Sequence, residues 1–321
     1  MPLSSASRDV RRGVPFSDRL AVLVEERQSQ VVLGLDPDPS KLWPEAVARA
    51  GLVEAHLDEV AQLTADAVAL HCRLAIAAAG PSCVAVKPQL ACFERLGSHG
   101  WAALEQTVEA AHEAGLLVIA DGKRGDVSQS AEAYGQALVG RVEGPYGPIQ
   151  GLGADAFTAN PLLGRDSLEP LLAAADANGA GCFVLVRTSN PGAAEIQDEP
   201  HDAPLRTTLA RIVDDLGGGR VGRDSGLSDV GAVTGATKPE LLAELRELMP
   251  RAIFLLPGVG AQGGRAEDLG PAFAPHPAAG LVAASRSIVD ASAEAGGDPA
   301  LAAQQAAEAL RIATWRVAAA A

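Results

Sequence analysis

Short apolar runs ending in Gly, Pro, Asp or Asn alternate with longer stretches whose apolar residues recur at helical spacing, the appearance of repeated βα units. Eight such runs occur, at residues 31–36, 83–88, 116–121, 156–161, 182–187, 230–235, 253–258 and 280–285. Between them lie helical patterns such as Val60, Leu63, Ala67, Leu70 and Leu74, which share one face of a helix. Right-handed crossovers repeated this often close a parallel sheet more readily than they extend it, so the pattern predicts an α/β fold, a (β/α)8 TIM barrel. The connection at residues 191–229 is long for a βα unit and contains Gly217-Gly218-Gly219; it predicts a helix near residues 205–216 plus a mobile excursion. Residues 299–321 read as a final helix closing the barrel. With no internal repeat and no break in the alternation, residues 1–321 are expected to form a single domain, with residues 1–25 a polar N-terminal extension and helix.

Composition narrows this picture. The chain has 321 residues, 48% hydrophobic but only 3% aromatic, so Ala, Val, Leu and Ile must fill most of the core. A net charge of −14 leaves no general polyanion-binding surface, and nucleic acid is excluded as an expected partner. Cys72, Cys83, Cys92 and Cys182 lack C-x-x-C spacing, which predicts reduced thiols in a cytosolic protein rather than a disulfide framework or zinc site. The N-terminal residues carry several Arg without a following apolar block, unlike a secretory signal. No uninterrupted apolar run reaches membrane length. A cytoplasmic protein without membrane contact is expected. His71, His99 and His112 lack ligand spacing and read as ordinary surface or core histidines.

Active sites of such barrels form where strands end, which directs attention to the polar residue closing each run. Asp36 closes the first, Lys87 the second, Asp121 and Lys123 the third, Asn160 the fourth, and Thr188 and Ser189 the fifth; Gln262 follows the seventh and Arg286 the eighth. If the third strand persists through Lys123, Asp121 and Lys123 project to the same side. Asp126 follows in the loop, and Lys87 comes from the neighbouring strand. Two cations and two carboxylates can hold a lysine protonated as an acid while presenting negative charge to a substrate carboxylate. A solvated surface cluster would have the same composition, but the apolar lead-ins to Lys87 and Asp121 favour a strand-end site. The glycine-rich segment from Pro257 and Gly258 to Gly264, with Ser285 and Arg286 opening a helix, has the place and chemistry of a phosphate site. The segment Thr188-Ser189-Asn190-Pro191-Gly192 suits the polar edge of a heterocycle, and equally suits an ordinary capped turn.

Together these residues resemble the orotidine 5′-phosphate decarboxylase family over residues 31–288. The family's D-x-K-x-x-D is matched by Asp121, Lys123 and Asp126, its preceding Asp and Lys by Asp36 and Lys87, and its Ser-x-Pro-Gly by Ser189 to Gly192. Its phosphate-gripping Gln and Arg are matched by Gln262 and Arg286. The segment 160–164 and the long 191–229 connection are similar to the longer bacterial subgroup, type 2. Ser285 departs from the Gly common in the family at that place, which bears only on the fine geometry of the loop.

The resemblance implies conversion of orotidine 5′-phosphate to UMP in de novo pyrimidine biosynthesis, with no metal or organic cofactor. It implies that Asp36 and Lys87 hold the ribose hydroxyls and the charge network. Asp121 would lie beside the substrate carboxylate, and Lys123 would protonate C6. Asp126 would serve the neighbouring subunit of a homodimer, and Ser130 would contact the neighbouring ribose or phosphate. Metal-dependent sugar-phosphate enzymes of the same superfamily share D-x-K-x-x-D but carry an acidic metal ligand where this chain has Lys87. A catalytically silent phosphate-binding barrel would need Arg286 and the glycine loop but not the Lys–Asp network.

Overall fold

The computed structural model describes residues 13–51 and 59–321, so the start of the expected N-terminal extension, residues 1–12, lies outside the described residues. A strand overlaps each predicted run: β1 (Val31–Leu35), β2 (Ala85–Pro88), β3 (Leu117–Arg124), β6 (Ala156–Ala159), β7 (Gly181–Arg187), β8 (Ser228–Thr234), β9 (Ala252–Pro257) and β10 (Gly280–Ala284). They pair in parallel and close in the order β1-β10-β9-β8-β7-β6-β3-β2, a (β/α)8 barrel. The alternation gave no sign of β4 (Arg141–Gly144) and β5 (Gly147–Gln150), an antiparallel hairpin outside the barrel. It turns through Gly144-Pro145-Tyr146-Gly147, with Gly147 at φ +117, a conformation that suits a residue without Cβ.

Alternation along the strands sorts side chains into two cores. Val32, Leu117, Ile119, Phe183, Ile253, Leu255, Leu281 and Ala283 belong to the cluster inside the barrel. Their neighbours Val31, Leu33, Val118, Ala120, Cys182, Val184, Phe254, Leu256, Val282 and Ala284 join the cluster shared with the surrounding helices. The N-terminal helix Phe16–Arg27 plugs the barrel at the strand starts. Phe16, Leu20 and Val24 join the interior cluster, and Phe16 meets Phe183 edge-on at a ring separation of 5.8 Å. Few aromatics therefore suffice: this Phe16–Phe183 pair joins an interior otherwise filled mainly by aliphatic residues.

The segment Val60–Ser82 is long and apolar enough to cross a membrane by length and composition, although Gln62, Asp66, His71 and Arg73 interrupt its apolar run. Its helix, Val60–Ala79, buries Ala65, Val68, Cys72, Ala75 and Ile76 in the outer core, so its apolar stripe is accounted for by packing. The long connection contains a 3-10 turn (Pro191–Ala193), a short helix (Ala194–Gln197) and the expected helix, here Leu205–Gly217. The closing helix is Pro299–Ala318. All four cysteines are free thiols; Cys72, Cys83 and Cys182 are buried, and Cys92 is half-buried.

Candidate active site

The interior alternation that runs through Leu117 and Ile119 reaches Asp121 next, and on β2 it runs from Ala85 to Lys87. Apolar patterning thus delivers two charged residues into the barrel mouth. There a cavity of about 750 Å³ opens over Leu185, Val233, Leu255 and Ala283. Asp36, Lys87, Asp121, Lys123, Thr188, Ser189, Pro257, Gly258, Gln262, Ser285 and Arg286 all line it.

The Asp121 carboxylate is 4% exposed and receives four donors. Lys87 Nζ donates to Oδ2 at 2.5 Å and Gln89 Nε2 to the same oxygen at 3.3 Å. Lys123 Nζ and the Thr158 hydroxyl donate to Oδ1 at 2.6 and 2.9 Å. Burial alone would push the Asp121 carboxyl up, but the Lys87 and Lys123 ammonium groups outweigh it and hold the carboxyl well below the usual carboxylate range. Burial likewise pulls Lys87 down, and the charges of Asp121 and Asp36 outweigh that and raise it. Both groups of this buried pair are therefore charged. The Lys123 side chain is 42% exposed, so one end of the network faces the cavity.

Asp121 and Lys123 do converge, though not by simple alternation. The strand persists to Arg124, but its register with β6 shifts between Ala120 and Arg124, and Lys123 has φ +48. A β-bulge re-aims the lysine toward the carboxylate.

Barrel order separates the remaining groups. β9, which carries Pro257 and the glycine loop, is four strands from β3 in either direction, while β7, which leads to Thr188 and Ser189, is two strands from each. The loop folds back on itself: Gly260 N–H donates to Gly264 O at 3.0 Å, and Gly264 N–H to Gly258 O at 3.0 Å. Gly258 has φ +102, and an added Cβ there would come within 3.2 Å of Gln262, Ser189 and Thr237. Ser285 is accommodated by Gly34 on β1, where a Cβ would lie 1.9 Å from the Ser285 hydroxyl. Thr188 N–H donates to Gln197 Oε1 at 2.7 Å, tying the strand end to the long connection. A bidentate Arg187–Asp198 pair, with both contacts at 3.0 Å, reinforces that tie.

Three expected residues do not line the cavity. Asn160 turns its Oδ1 to the Leu162 N–H at 3.1 Å, capping a local turn. Ser130 is exposed on the helix Ser128–Leu138. Asp126 accepts from the Val127 N–H at 2.8 Å. Conversely, Gln89, Cys92, Thr158 and Gln197 line the cavity without having been singled out. Gln89 was legible, being two residues beyond Lys87. Thr158 was hidden in an apolar run, and Cys92 and Gln197 come from helices that only the tertiary fold brings to the mouth.

At the opposite end of the strands a second cavity, about 490 Å³, is lined by Arg19, His112 and Asp155 among others. The buried Asp155 accepts from Arg19, from His112 Nε2 at 2.9 Å and from the Val118 N–H at 3.0 Å. Burial would raise its carboxyl, but His112 and Arg19 hold it down at about 2. His112 is thus a structural partner. His71 is a core histidine whose Nδ1 accepts from Trp43 N–H at 3.1 Å; burial lowers it to about 4.

The Orotidine 5'-phosphate decarboxylase / HUMPS family pattern matches residues 29–305. The orotidine 5'-phosphate decarboxylase of Rhodopirellula baltica is 42% identical over 275 residues, spanning 85% of this chain and 88% of the relative. That of Deinococcus radiodurans is 39% identical over 273 residues, with coverages of 85% and 88%. A solved Streptomyces avermitilis chain, described as a candidate orotidine 5'-phosphate decarboxylase, superposes with a TM-score of 0.74 at 32% identity, covering 96% of this chain and 97% of that one. The chain belongs to the orotidine 5'-phosphate decarboxylase / HUMPS family.

Proposed function

We propose that this protein decarboxylates orotidine 5′-phosphate to UMP, a step of pyrimidine biosynthesis, using its own side chains and neither a metal nor an organic cofactor. The observation that carries the reading is the buried Asp121 carboxylate clamped by Lys87 and Lys123 at the mouth of a cavity. Breaking the bond from C6 to the carboxylate leaves an electron pair with no conjugated sink, so stabilisation must come from charge already in place. Lys123 supplies the cation and the proton that C6 takes as carbon dioxide leaves. Asp121, beside the departing carboxylate, is already ionised and oriented by four donors. Gln262, Arg286 and the backbone of the glycine loop hold the phosphate across the barrel, and Thr188 and Ser189 face the edge of the ring. Metal-dependent chemistry in the same superfamily is disfavoured here because the position that would need an acidic ligand holds Lys87, whose ammonium is bonded to Asp121.

The finer assignments belong to the same proposal: a single cytoplasmic domain of the longer bacterial subgroup, acting as a homodimer in which Asp126 completes the partner's site. Asp126 does not line its own subunit's cavity, and Val127, Leu162 and Leu163, close to it or to the end of β6, are exposed apolar residues. Asn160 and Ser130 are substrate contacts only if binding reorients them.

The assay is direct: chelator-treated protein should convert orotidine 5′-phosphate to UMP, followed by absorbance. No change at high enzyme concentration would sink the reading. Mixing Lys123→Ala with Asp126→Ala subunits should restore one intact site per heterodimer. No recovery under proven subunit exchange would place the site within one chain.

A further inference from the structure

The ladder between β3 and β6 is interrupted where the chemistry resides. Ile119 and Ala120 pair with Ala156 and Phe157, and pairing resumes only at Arg124 with Ala159. Asp121, Gly122 and Lys123 therefore face a single residue, Thr158. The bulge takes Lys123 out of the regular ladder and places it at φ +48, a conformation that a residue with a side chain adopts only when its surroundings impose it.

Thr158 supplies both holds the bulge needs. Its hydroxyl oxygen accepts the Lys123 N–H at 2.8 Å, replacing the lost ladder bond, and its proton goes to Asp121 Oδ1 at 2.9 Å. A hydroxyl has one proton and two lone pairs, so this donor and acceptor assignment is the one that serves both neighbours. Thr158 is 1% exposed, so little water competes for its hydroxyl. One uncharged side chain thus fixes the backbone of one ion and the carboxylate of the other.

We infer that Thr158 is a positioning residue for decarboxylation, acting through Lys123 and Asp121 by locking the bulge that aims them at one point. The inference rests on the decarboxylase reading. Thr158→Val keeps the volume but strands the Lys123 N–H, whereas Thr158→Ser keeps the hydroxyl and loses only a methyl group.

Three readouts test it on the full chain: kcat and KM for orotidine 5′-phosphate, Kd for UMP, and hydrogen exchange at the Lys123 amide. Stranding a buried N–H and loosening the ion pair should lower kcat of Thr158→Val about thirtyfold, while UMP affinity stays within about threefold. The Lys123 amide should exchange about tenfold faster in that variant. Thr158→Ser should recover kcat to within about threefold of wild type, which a role in volume filling would not produce. The inference is overturned if Thr158→Val keeps kcat within about threefold, or if Thr158→Ser shares its full deficit. Should wild-type protein show no turnover, the decarboxylase reading fails on its own. The exchange measurement still decides the positioning claim, since an unchanged Lys123 amide in Thr158→Val refutes it.

Discussion

At each end of the barrel a buried aspartate is held by two basic side chains, yet the two arrangements are built for different work. Asp155, at the strand starts, is bonded by Arg19, His112 and the Val118 N–H, so it joins the N-terminal helix, the helix Gly97–Glu113 and β3. Asp121, at the strand ends, is bonded by Lys87, Lys123, Gln89 and Thr158, and one of its cations remains open to a cavity. Both lie on the β3–β6 ladder, which is paired at Ile119 and Ala120 toward the Asp155 end and interrupted between Ala120 and Arg124, around Asp121. Pairing a buried charge is a general necessity; leaving one partner exposed on a strained segment is the mark of a site.

The comparison is broken most sharply at Lys123. Lys123→Ala should lower turnover about 10³-fold or more, while thermal unfolding and UMP binding change little. Equal loss of stability would make the top cluster structural like the bottom one. Next, Asp155→Ala strips the shared acceptor from three donors, the Val118 N–H buried and Arg19 and His112 partly so. It should cost about 3 kcal/mol of stability, with kcat per folded molecule unchanged; calorimetry and an active-site titration check both halves.

The smallest effects separate the carboxylates by pH. Asp155 lies near 2 in the fold against 3.8 unfolded, so its stabilisation is fully present above about pH 4 and fades as pH falls toward 2. Asp229, near the same end, has the opposite sign. Burial raises it to about 6, against the Ser17 bond that lowers it, so the fold keeps a proton that the unfolded chain gives up, and stability falls as pH rises from about 4 to about 6. Asp229→Asn keeps the acceptor for Ser17 N–H, which lies 2.8 Å from Oδ1, and should flatten that slope and add about 1 kcal/mol at neutral pH. Unfolding midpoints measured across this range would detect either sign.

The period of the apolar runs was enough to place eight strands and to carry Asp121 and Lys87 inward, because alternation in a half-buried strand is a local property. The Asp, Lys, Gln and Arg at the strand ends were legible for the same reason. Asn160 met the same positional rule, but local turn bonding, which spacing does not show, took it out of the cavity; Ser130, expected only from the family resemblance, lies exposed on its helix.

The sequence by itself determined the strand-and-helix order, the closed barrel and the identity of the charged groups at its mouth. Only the tertiary structure decided how those groups meet. The bulge at Lys123, the hydroxyl of Thr158 that holds it, and the separation of the network from the glycine loop across the barrel depend on register between strands distant in sequence, which no local pattern encodes.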